Sequence, residues 1–315
     1  MDSAPGHDRF HHGAGLLLLA ANKVRHAVRG YRRPRPFPIT EFDRAIDYDL
    51  GVVAGWRRRL REYLGRDYPL AGRRVLELGP GADLGVGLHL LHLGAARYDA
   101  LDVHNLAASV PPTFYDRLLT RLYAAEPSRP GTPRDRPELD SAEPERTELE
   151  RQLERALRGN GDRLHYVCRP DFDPSIFGEG AIDLVVSQAA FEHFDDVAAV
   201  TRNLSRAVKS GGLMVAEIDL QTHTRWIRER DPLNIYRYGD GLYNLFRFRG
   251  SPNRVRPHEY AAYLAECGWE RVVIVPDRTA EAGYVAAARP GLAARFRAEK
   301  ESLGYLSVYL CATRS

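Results

Sequence analysis

The chain has 315 residues, of which 44% are hydrophobic, and this is enough apolar side chain for one large core or two modest ones. Its formal net charge of +3 is small for this length, so a strongly electrostatic partner such as a long nucleic acid is not expected. The three cysteines, Cys168, Cys267 and Cys311, lie far apart and form no C-x-x-C pair, which argues against a disulfide framework and a cysteine metal cluster. A reducing, cytoplasmic location suits this composition.

Two helices are predicted before the first strand, and they define an N-terminal helical extension over residues 1–65. The first, over 14–29, follows a disordered start over 1–13 and changes from apolar to basic along its length. This pattern is compatible with a peripheral membrane contact through residues 14–35, but the simpler interpretation, which we favour, is a helix packed on the main domain with its arginines in water. The second helix is predicted over 49–64, where apolar residues form one stripe.

No apolar run approaches the roughly 20 residues that span a bilayer. The longest run, over 16–21, is followed at once by basic residues, which is not typical of an export signal. We therefore expect neither a spanning helix nor an export signal.

The stretch over 73–95 organises the rest of the chain. The apolar run Val75–Leu78 fits a strand buried on both faces, and it stops at a turn of the sequence Gly-Pro-Gly that ends at Gly81. Apolar residues then recur at helical spacing from Val86 to Leu93. Strand, glycine turn and helix in this order form the first unit of a doubly wound α/β sheet, in which the helix N-terminus faces a ligand. A nucleotide-like cofactor is predicted.

A second strand is predicted to end at Asp102, 21 residues after Gly81. Nucleotide-binding folds place at this distance the carboxylate that accepts hydrogen bonds from the ribose hydroxyls. Dinucleotide sites, however, favour G-x-G-x-x-G/A, and Leu84 stands where the third small residue belongs. The turn therefore favours a nucleotide-like cofactor other than NAD.

The middle of the chain interrupts this pattern. Five prolines and alternating charges over 126–147 leave little to bury, which predicts a mobile insertion there. A short charged helix is predicted over 148–158 and a third strand over 164–168. Further apolar strands are predicted over 181–187 and 213–220.

The run LELGPG, from Leu76 to Gly81, resembles motif I of the class I S-adenosylmethionine-dependent methyltransferases, commonly E/D-x-G-x-G-x-G. Glu77, Gly79 and Gly81 are in register with that motif, whereas Asp83 replaces its third glycine. The run DLVVSQAAFEH up to His193 is similar to the fourth strand of the family, and Lys-Ser-Gly-Gly before the fifth strand is similar to its next landmark. The resemblance spans about residues 73–220.

The resemblance implies a doubly wound, mostly parallel seven-stranded sheet of the Rossmann-like methyltransferase fold. Its domain would cover residues 66–315, with the last two strands over 269–275 and 306–312 as an antiparallel edge hairpin. It also implies S-adenosylmethionine as cofactor, and an acidic residue after the third strand, here Asp171, that faces the adenine amine. The cofactor-binding residues implied in this way are Glu77, Gly79, Gly81, Asp102, Asp171, Ser187 and Gln188.

The segment over 219–256 is rich in aromatic residues and arginines, and it leaves the carboxyl end of the fifth strand, so we interpret it as a substrate cap. His223 is the candidate general base, with Asp219 as its orienting partner. His193 is a second candidate, although a Glu-His pair at this point often shapes the cofactor loop instead. His258 is a third candidate that could simply begin a helix. No metal is expected, because Glu192-His193 alone is too short a cluster to set a coordination shell.

The sequence thus predicts methyl transfer from S-adenosylmethionine to a small-molecule acceptor, at a hydroxyl oxygen. An NAD-dependent oxidoreductase is a less favoured alternative, since the chain lacks the dinucleotide glycine spacing and a Tyr-x-x-x-Lys pair near strand four. A non-catalytic binding module that keeps the cofactor fold, associated with a membrane through residues 14–35, is the other. The acceptor and the oligomeric state stay open.

Overall fold

The computed structural model describes residues 5–29, 37–124 and 139–315 of the chain. Within these residues seven strands form one sheet, in the spatial order third, second, first, fourth, fifth, seventh, sixth. The strands are β1 Arg74–Leu78, β2 Arg97–Asp102, β3 Leu164–Cys168, β4 Ile182–Gln188, β5 Val208–Asp219, β6 Trp269–Thr279 and β7 Tyr305–Arg314.

Eleven α-helices accompany the strands within the same described residues. They are α1 Pro5–Arg29, α2 Phe42–Leu64, α3 Gly85–His92, α4 Pro112–Ala124, α5 Leu139–Leu157, α6 Val197–Ala207, α7 Arg225–Arg228, α8 Asp240–Phe246, α9 Pro257–Glu266, α10 Ala282–Ala288 and α11 Ala294–Arg297. None of them is long and apolar enough to cross a membrane.

The sheet is mostly parallel. β1 pairs in parallel with both β2 and β4, and β2 pairs in parallel with β3. β7 runs antiparallel to its neighbours β5 and β6, as the contacts of its first residues show. The Leu220 N–H, just after β5, donates to the Leu306 carbonyl, and the Ala280 N–H, just after β6, donates to the Gly304 carbonyl. The predicted doubly wound, seven-stranded fold with its antiparallel edge is confirmed.

The chain divides into two compact units. The sheet unit comprises Arg33–Gln188, Asn203–Val215 and Thr313–Ser315, and the cap unit comprises Met1–Arg32, Ala189–Arg202 and Ala216–Ala312. The two helices of the predicted N-terminal extension are therefore divided, with α1 in the cap unit and α2 in the sheet unit. This separation was not predicted.

In the sheet unit, buried strands carry the core. Val75, Leu76 and Leu78 of β1 have no exposed surface, as expected for a strand covered on both faces. α2 packs against α3 and buries Trp56 and Leu60 of the predicted apolar stripe, together with Val53. The start of this helix at residue 42, seven residues before the predicted start, reflects burial of Ala45 and Ile46 on the same face.

The cap unit has a core of its own, made of aromatic and aliphatic side chains from α8, α11 and the segments around them. Its buried members include Tyr236, Tyr238, Tyr243 and Phe296. Several tyrosines and arginines that the sequence assigned to a substrate-enclosing loop are therefore packing residues. That part of the prediction is corrected, because these side chains cover one another.

α1 lies on this core. The side-chain N–H of Asn234 donates to the His11 carbonyl, and the Tyr238 hydroxyl donates to the His12 carbonyl, each over 3.0 Å. A Cβ on Gly15 would come within 2.1 Å of the Asn234 side chain, so glycine permits this close approach. These contacts hold the part of the helix around residues 11–15 on the core; the helix begins at Pro5, where the sequence suggested a disordered start over 1–13.

The charged segment before β3 is also more regular than expected. α5 begins at Leu139, so residues 139–147 of the predicted mobile insertion are helical, while 126–138 of it lie outside the described residues. Leu149 is buried, and Arg146 pairs with Glu150 one turn on and with Asp116 of α4. The mixed charges that suggested disorder are thus spaced to form helical side-chain pairs.

Candidate active site

The glycine turn, which we define as residues Glu77–Asp83 together with Asp102, ends β1 and opens α3. Gly79 and Gly81 have φ angles of 70° and 75°, in the left-handed region that favours glycine. Glu77 is buried before the turn, and its carboxylate accepts a 2.5 Å hydrogen bond from the Tyr98 hydroxyl. The turn therefore stands on a buried acidic side chain that a neighbouring strand holds in place.

Asp102, at the end of β2, meets this turn as the 21-residue spacing predicted. The Gly81 N–H donates to one of its carboxylate oxygens over 3.0 Å, and the N–H groups of Val103 and His104 donate to the other. Burial raises the pKa of Asp102, while these three hydrogen bonds act to lower it. The carboxylate is thus fixed by backbone donors at the carboxyl end of its strand.

Asp83 explains the departure from the glycine motif. Its carboxylate accepts a 2.8 Å hydrogen bond from the Gly85 N–H, at the N-terminus of α3. A second buried carboxylate, that of Asp49 on α2, lies so close that a Cβ on Gly85 would be 2.1 Å from its Oδ2. Two carboxylates therefore lie at the helix end that binds the pyrophosphate of a dinucleotide in Rossmann folds. They oppose an anion there and favour a cation.

Asp49 was missed by the sequence-based prediction. The signal was present, since it is an acidic residue among the apolar ones of α2, between Ile46 and Val52. Charged residues are almost never fully buried unless they are paired, so its position on the apolar stripe indicated a specific role.

The remaining residues predicted to bind the cofactor follow β3 and β4. Ser187 is fully buried and donates its hydroxyl hydrogen bond to the Leu78 carbonyl over 3.1 Å, which ties the ends of β4 and β1 together. Gln188, the last residue of β4, is partly buried. Asp171 is exposed, and its carboxylate accepts two hydrogen bonds from Arg169, which lower its pKa.

A second group of chemically active side chains lies in the cap unit, and we call Glu192, His193 and His223 the Glu–His–His cluster. Glu192 and His193 belong to a short 3-10 turn that follows β4 in the chain, and His223 follows β5. The imidazole rings of His193 and His223 are nearly perpendicular, with centroids 4.8 Å apart. One carboxylate oxygen of Glu192 lies 3.9 Å from Nε2 of His223.

Both histidines have a defined orientation. Nδ1 of His193 is 2.6 Å from the Gly250 carbonyl, and Nδ1 of His223 is 3.0 Å from the Gln221 carbonyl. Since a carbonyl oxygen only accepts, Nδ1 carries the hydrogen in each ring. Burial lowers the pKa of His193 to about 4 and also lowers that of His223. Both rings are therefore neutral at neutral pH, with a lone pair on Nε2.

Glu192 is the unusual member of the cluster. It is 2% exposed, and no side chain among the described residues donates a hydrogen bond to its oxygens, although the backbone N–H groups of Glu192 itself and of Asp219 act to lower its pKa. Burial and the nearby carboxylates of Asp219 and Glu217 raise its pKa well above the usual value. Its backbone is held firmly, because its carbonyl accepts a 2.7 Å hydrogen bond from the Asn253 N–H.

Asp219 does not contact His223 in the predicted way. Its carboxylate accepts hydrogen bonds from the Gln221 N–H over 3.0 Å and from Arg228 over 2.5 Å. Because Gln221 provides the carbonyl that orients His223, Asp219 positions the histidine through the backbone. His258 is exposed at the start of α9, outside the cluster, in agreement with its simpler interpretation.

Residues 143–216 match the family model described as a methyltransferase domain. No curated protein matches the sequence.

Three similar solved structures illustrate the range of matches. The CurJ carbon methyltransferase is 16% identical with a TM-score of 0.46, and the match covers 98% of this chain and 68% of that one. A phosphoethanolamine N-methyltransferase from Haemonchus contortus in complex with S-adenosyl-L-methionine is 12% identical with a TM-score of 0.43; the match covers 85% of this chain and about half (52%) of that one. An S-adenosylmethionine-dependent methyltransferase from Mesorhizobium loti is 17% identical with a TM-score of 0.41, covering 82% and 96%.

Proposed function

We propose that this chain, a class I S-adenosylmethionine-dependent methyltransferase, transfers the methyl group to a hydroxyl oxygen of a small-molecule acceptor. The observation that carries the proposal is the acidic character of the glycine turn. S-adenosylmethionine brings a sulfonium-bound methyl group and two positive charges, on the sulfonium and on the amino group. The carboxylates of Glu77, Asp83, Asp102 and Asp49 suit such a cation, whereas they oppose the pyrophosphate of NAD.

Each residue of the turn has a proposed role. Asp102 accepts hydrogen bonds from the ribose hydroxyls, and Gly79 and Gly81 let the backbone approach the cofactor. Ser187 fixes the strand ends through the Leu78 carbonyl, while Gln188 contacts the cofactor directly. Asp171 is assigned to the adenine amine, and its pairing with Arg169 leaves this the weakest of the assignments.

The Glu–His–His cluster supports the choice of a hydroxyl. An alcohol must lose its proton as the new C–O bond forms, whereas an unprotonated amine attacks without help at that stage. The cluster supplies two neutral imidazoles, and residues that follow β4 and β5 come at the carboxyl ends of strands, where open α/β sheets bind ligands. We assign activation of the acceptor hydroxyl to this cluster, with His223 as its central member and Asp219 positioning it.

Titration calorimetry tests the cofactor assignment. Wild-type protein should bind S-adenosylhomocysteine, and its affinity for NAD should be much weaker. Asp102→Ala should lose charge-assisted hydrogen bonds worth roughly 1.5–3 kcal/mol, which corresponds to about 10- to 150-fold in affinity. The matched control is Asp162→Ala, which removes an exposed carboxylate of the same unit. Tighter binding of NAD than of S-adenosylhomocysteine would refute the proposal.

We also propose that the cap unit contacts an anionic membrane surface through α1. Phe10, Leu17, Val24 and Val28 project from one side of this helix and are 60–77% exposed, although its other side is packed. Arg25 is exposed beside them, so apolar and basic groups occur together.

Sedimentation with vesicles containing phosphatidylserine tests this contact. Wild-type protein should co-sediment at low salt, and Leu17→Ser combined with Val24→Ser should abolish most of that binding. Val273→Ser, at an exposed apolar position of β6, is the control and should leave it unchanged. Equal sedimentation of all three proteins would contradict the contact and leave the exposed side of α1 without this role.

A further inference from the structure

We propose that the Glu–His–His cluster binds a divalent transition-metal cation through a carboxylate oxygen of Glu192 and the Nε2 atoms of His193 and His223. One ligand atom from each residue lies within 4.8 Å of the others. Only the role of the cation rests on the proposed function: the cation would activate the acceptor hydroxyl on which this cluster is proposed to act.

The first argument is the state of Glu192. A buried carboxyl group is costly to ionise unless it is paired or coordinates a metal. This one is 2% exposed, and no side chain among the described residues donates a hydrogen bond to its oxygens; the donors that act to lower its pKa are backbone N–H groups, its own and that of Asp219. The backbone around it is fixed by Asn253, whose side-chain N–H groups donate to the carbonyls of Phe191 and Phe194. A cation between Glu192 and the imidazoles would supply a positively charged partner, which is absent from the groups that act on the Glu192 carboxyl among the described residues.

The second argument is the orientation of the two histidines. Metal-binding histidines almost always donate their other ring N–H to a carbonyl or carboxylate, which fixes the tautomer and the direction of the coordinating nitrogen. His193 and His223 do this with the carbonyls of Gly250 and Gln221. Nε2 of His223 faces Glu192 as a result. The cluster therefore has both the coordinating atoms and the outer hydrogen bonds of a metal site.

The spacing requires an adjustment. Two atoms that each lie about 2.1 Å from one ion are roughly 3.0–3.4 Å apart at the usual coordination angles. Oε1 of Glu192 and Nε2 of His223 are 3.9 Å apart, and the three ligand atoms all lie within 4.8 Å of one another, so they must approach by up to about 2 Å to close the site.

The ligand types define the class of cation. Magnesium and calcium prefer oxygen ligands, whereas two imidazoles and one carboxylate suit zinc, manganese, iron or cobalt. Three protein ligands leave positions open, and an acceptor hydroxyl bound there would have a lowered pKa. Its proton would pass to water, its oxygen would form the new bond to the methyl carbon, and the sulfur would leave with the electron pair of the broken S–C bond.

The sequence did not predict this site, because it showed only the adjacent pair Glu192-His193. The third ligand, His223, follows 30 residues later on another strand end. It comes into the cluster because β5 lies beside β4 in the sheet, and its ring is oriented by the Gln221 carbonyl.

Cobalt titration of the metal-depleted full-length protein tests the proposal. Wild type should bind one equivalent of Co²⁺, with the visible absorption of a site that contains imidazole ligands. Glu192→Gln and His223→Asn should each weaken binding by on the order of 100-fold or more. The matched control is Glu270→Gln, which removes an exposed carboxylate of the cap unit on β6 and should bind cobalt as wild type does. Elemental analysis of protein purified without chelator provides a check that needs no variant.

The variants are expected to fold, since Glu192→Gln replaces a buried acid by a neutral side chain of the same shape, and circular dichroism will verify this. Absence of cobalt binding by wild type up to about 1 mM, or equal binding by wild type and Glu192→Gln, overturns the proposal. S-adenosylhomocysteine binding without metal is measured in parallel. If the cofactor binds and cobalt does not, the proposed function stands with His223 as a free proton acceptor; if cobalt binds and the cofactor does not, the proposed function fails and the metal site stands.

Discussion

The glycine turn and the Glu–His–His cluster satisfy their acidic groups in opposite ways. In the turn, backbone N–H groups donate to Asp102 and Asp83, and a tyrosine donates to Glu77. In the cluster, Glu192 is equally buried, yet no side chain among the described residues donates a hydrogen bond to its carboxyl group, and its pKa is raised well above the usual value. The turn is therefore preformed by its own donors, whereas the cluster leaves a carboxyl group available to a ligand.

The two units also differ in what stabilises them. The sheet unit depends on strands with fully buried aliphatic residues, whereas the cap unit buries a charged network around Asp231. Asp231 accepts hydrogen bonds from Arg237, Asn234 and Tyr284. Substitutions in the two units should therefore differ in their effect on stability. The four predictions below are given in order of decreasing expected effect.

Arg237→Ala should have the largest effect, a loss of about 3–5 kcal/mol in unfolding free energy, because it leaves the Asp231 charge buried with one partner fewer. Arg247→Ala breaks a more exposed pair with Asp195 and should cost no more than about 1 kcal/mol. Chemical denaturation of both variants measures the difference. Equal destabilisation would show that burial of the ion pair is not what stabilises the cap unit.

Gly87→Ala should have the next largest effect, a loss of about 1–3 kcal/mol in unfolding free energy from overpacking. A Cβ at this position would lie 2.3 Å from the Tyr98 ring, whose hydroxyl is bonded to Glu77 before the glycine turn. The displaced ring should also weaken binding of S-adenosylhomocysteine. Gly51→Ala, on α2 with nothing within 4 Å, is the control and should be neutral or stabilising by up to about 1 kcal/mol, because alanine is the better helix former. A similar loss there would contradict the steric explanation.

A smaller effect, confined to acid pH, is expected from Asp99 in the sheet unit. Burial alone would raise its pKa, but hydrogen bonds from His165, Arg74 and Arg97 lower it below the usual value. A carboxyl whose folded pKa is depressed contributes stability above its unfolded pKa, near 4, and that contribution is lost as the pH falls through the folded value. Asp99→Asn should therefore flatten the decline of unfolding free energy below about pH 4. An unchanged slope would contradict the assignment.

Asp171→Ala should have the smallest effect, at most a few-fold on the affinity for S-adenosylhomocysteine. Its carboxylate is exposed and already paired with Arg169, so solvent screens much of its interaction with a ligand. Calorimetry gives the value directly. A loss of affinity as large as that of Asp102→Ala would contradict this expectation. It would show that Asp171 leaves its pair with Arg169 and contacts the adenine directly.

Much of the fold could be predicted because its signals are local. Each strand is a short apolar run between turns, and β3 was predicted over the residues that form it. The contact between Gly81 and Asp102 follows from one strand–turn–helix unit and the next strand, so chain spacing was sufficient to predict it. The confirmed order of strands rests on the same repetition of local units.

The unpredicted features depend on contacts between distant residues. The helical start of α1 is supported by Asn234 and Tyr238, more than 200 residues away. The aromatic residues of the cap segment look alike in sequence whether they pack together or enclose a substrate, and only the structure shows that Tyr236 and Tyr243 are core. Gly250 and Gln221, which orient the two histidines, do so through backbone carbonyls that any residue type possesses.

The central claim is that the cofactor is held by the glycine turn, while the Glu–His–His cluster acts on the acceptor. The most direct test is calorimetric titration of S-adenosylhomocysteine into Asp102→Ala and His223→Ala side by side. The account predicts that Asp102→Ala weakens binding by about 10- to 150-fold and that His223→Ala stays within about 2-fold of wild type. A loss of affinity in His223→Ala as large as that in Asp102→Ala would contradict the division of roles.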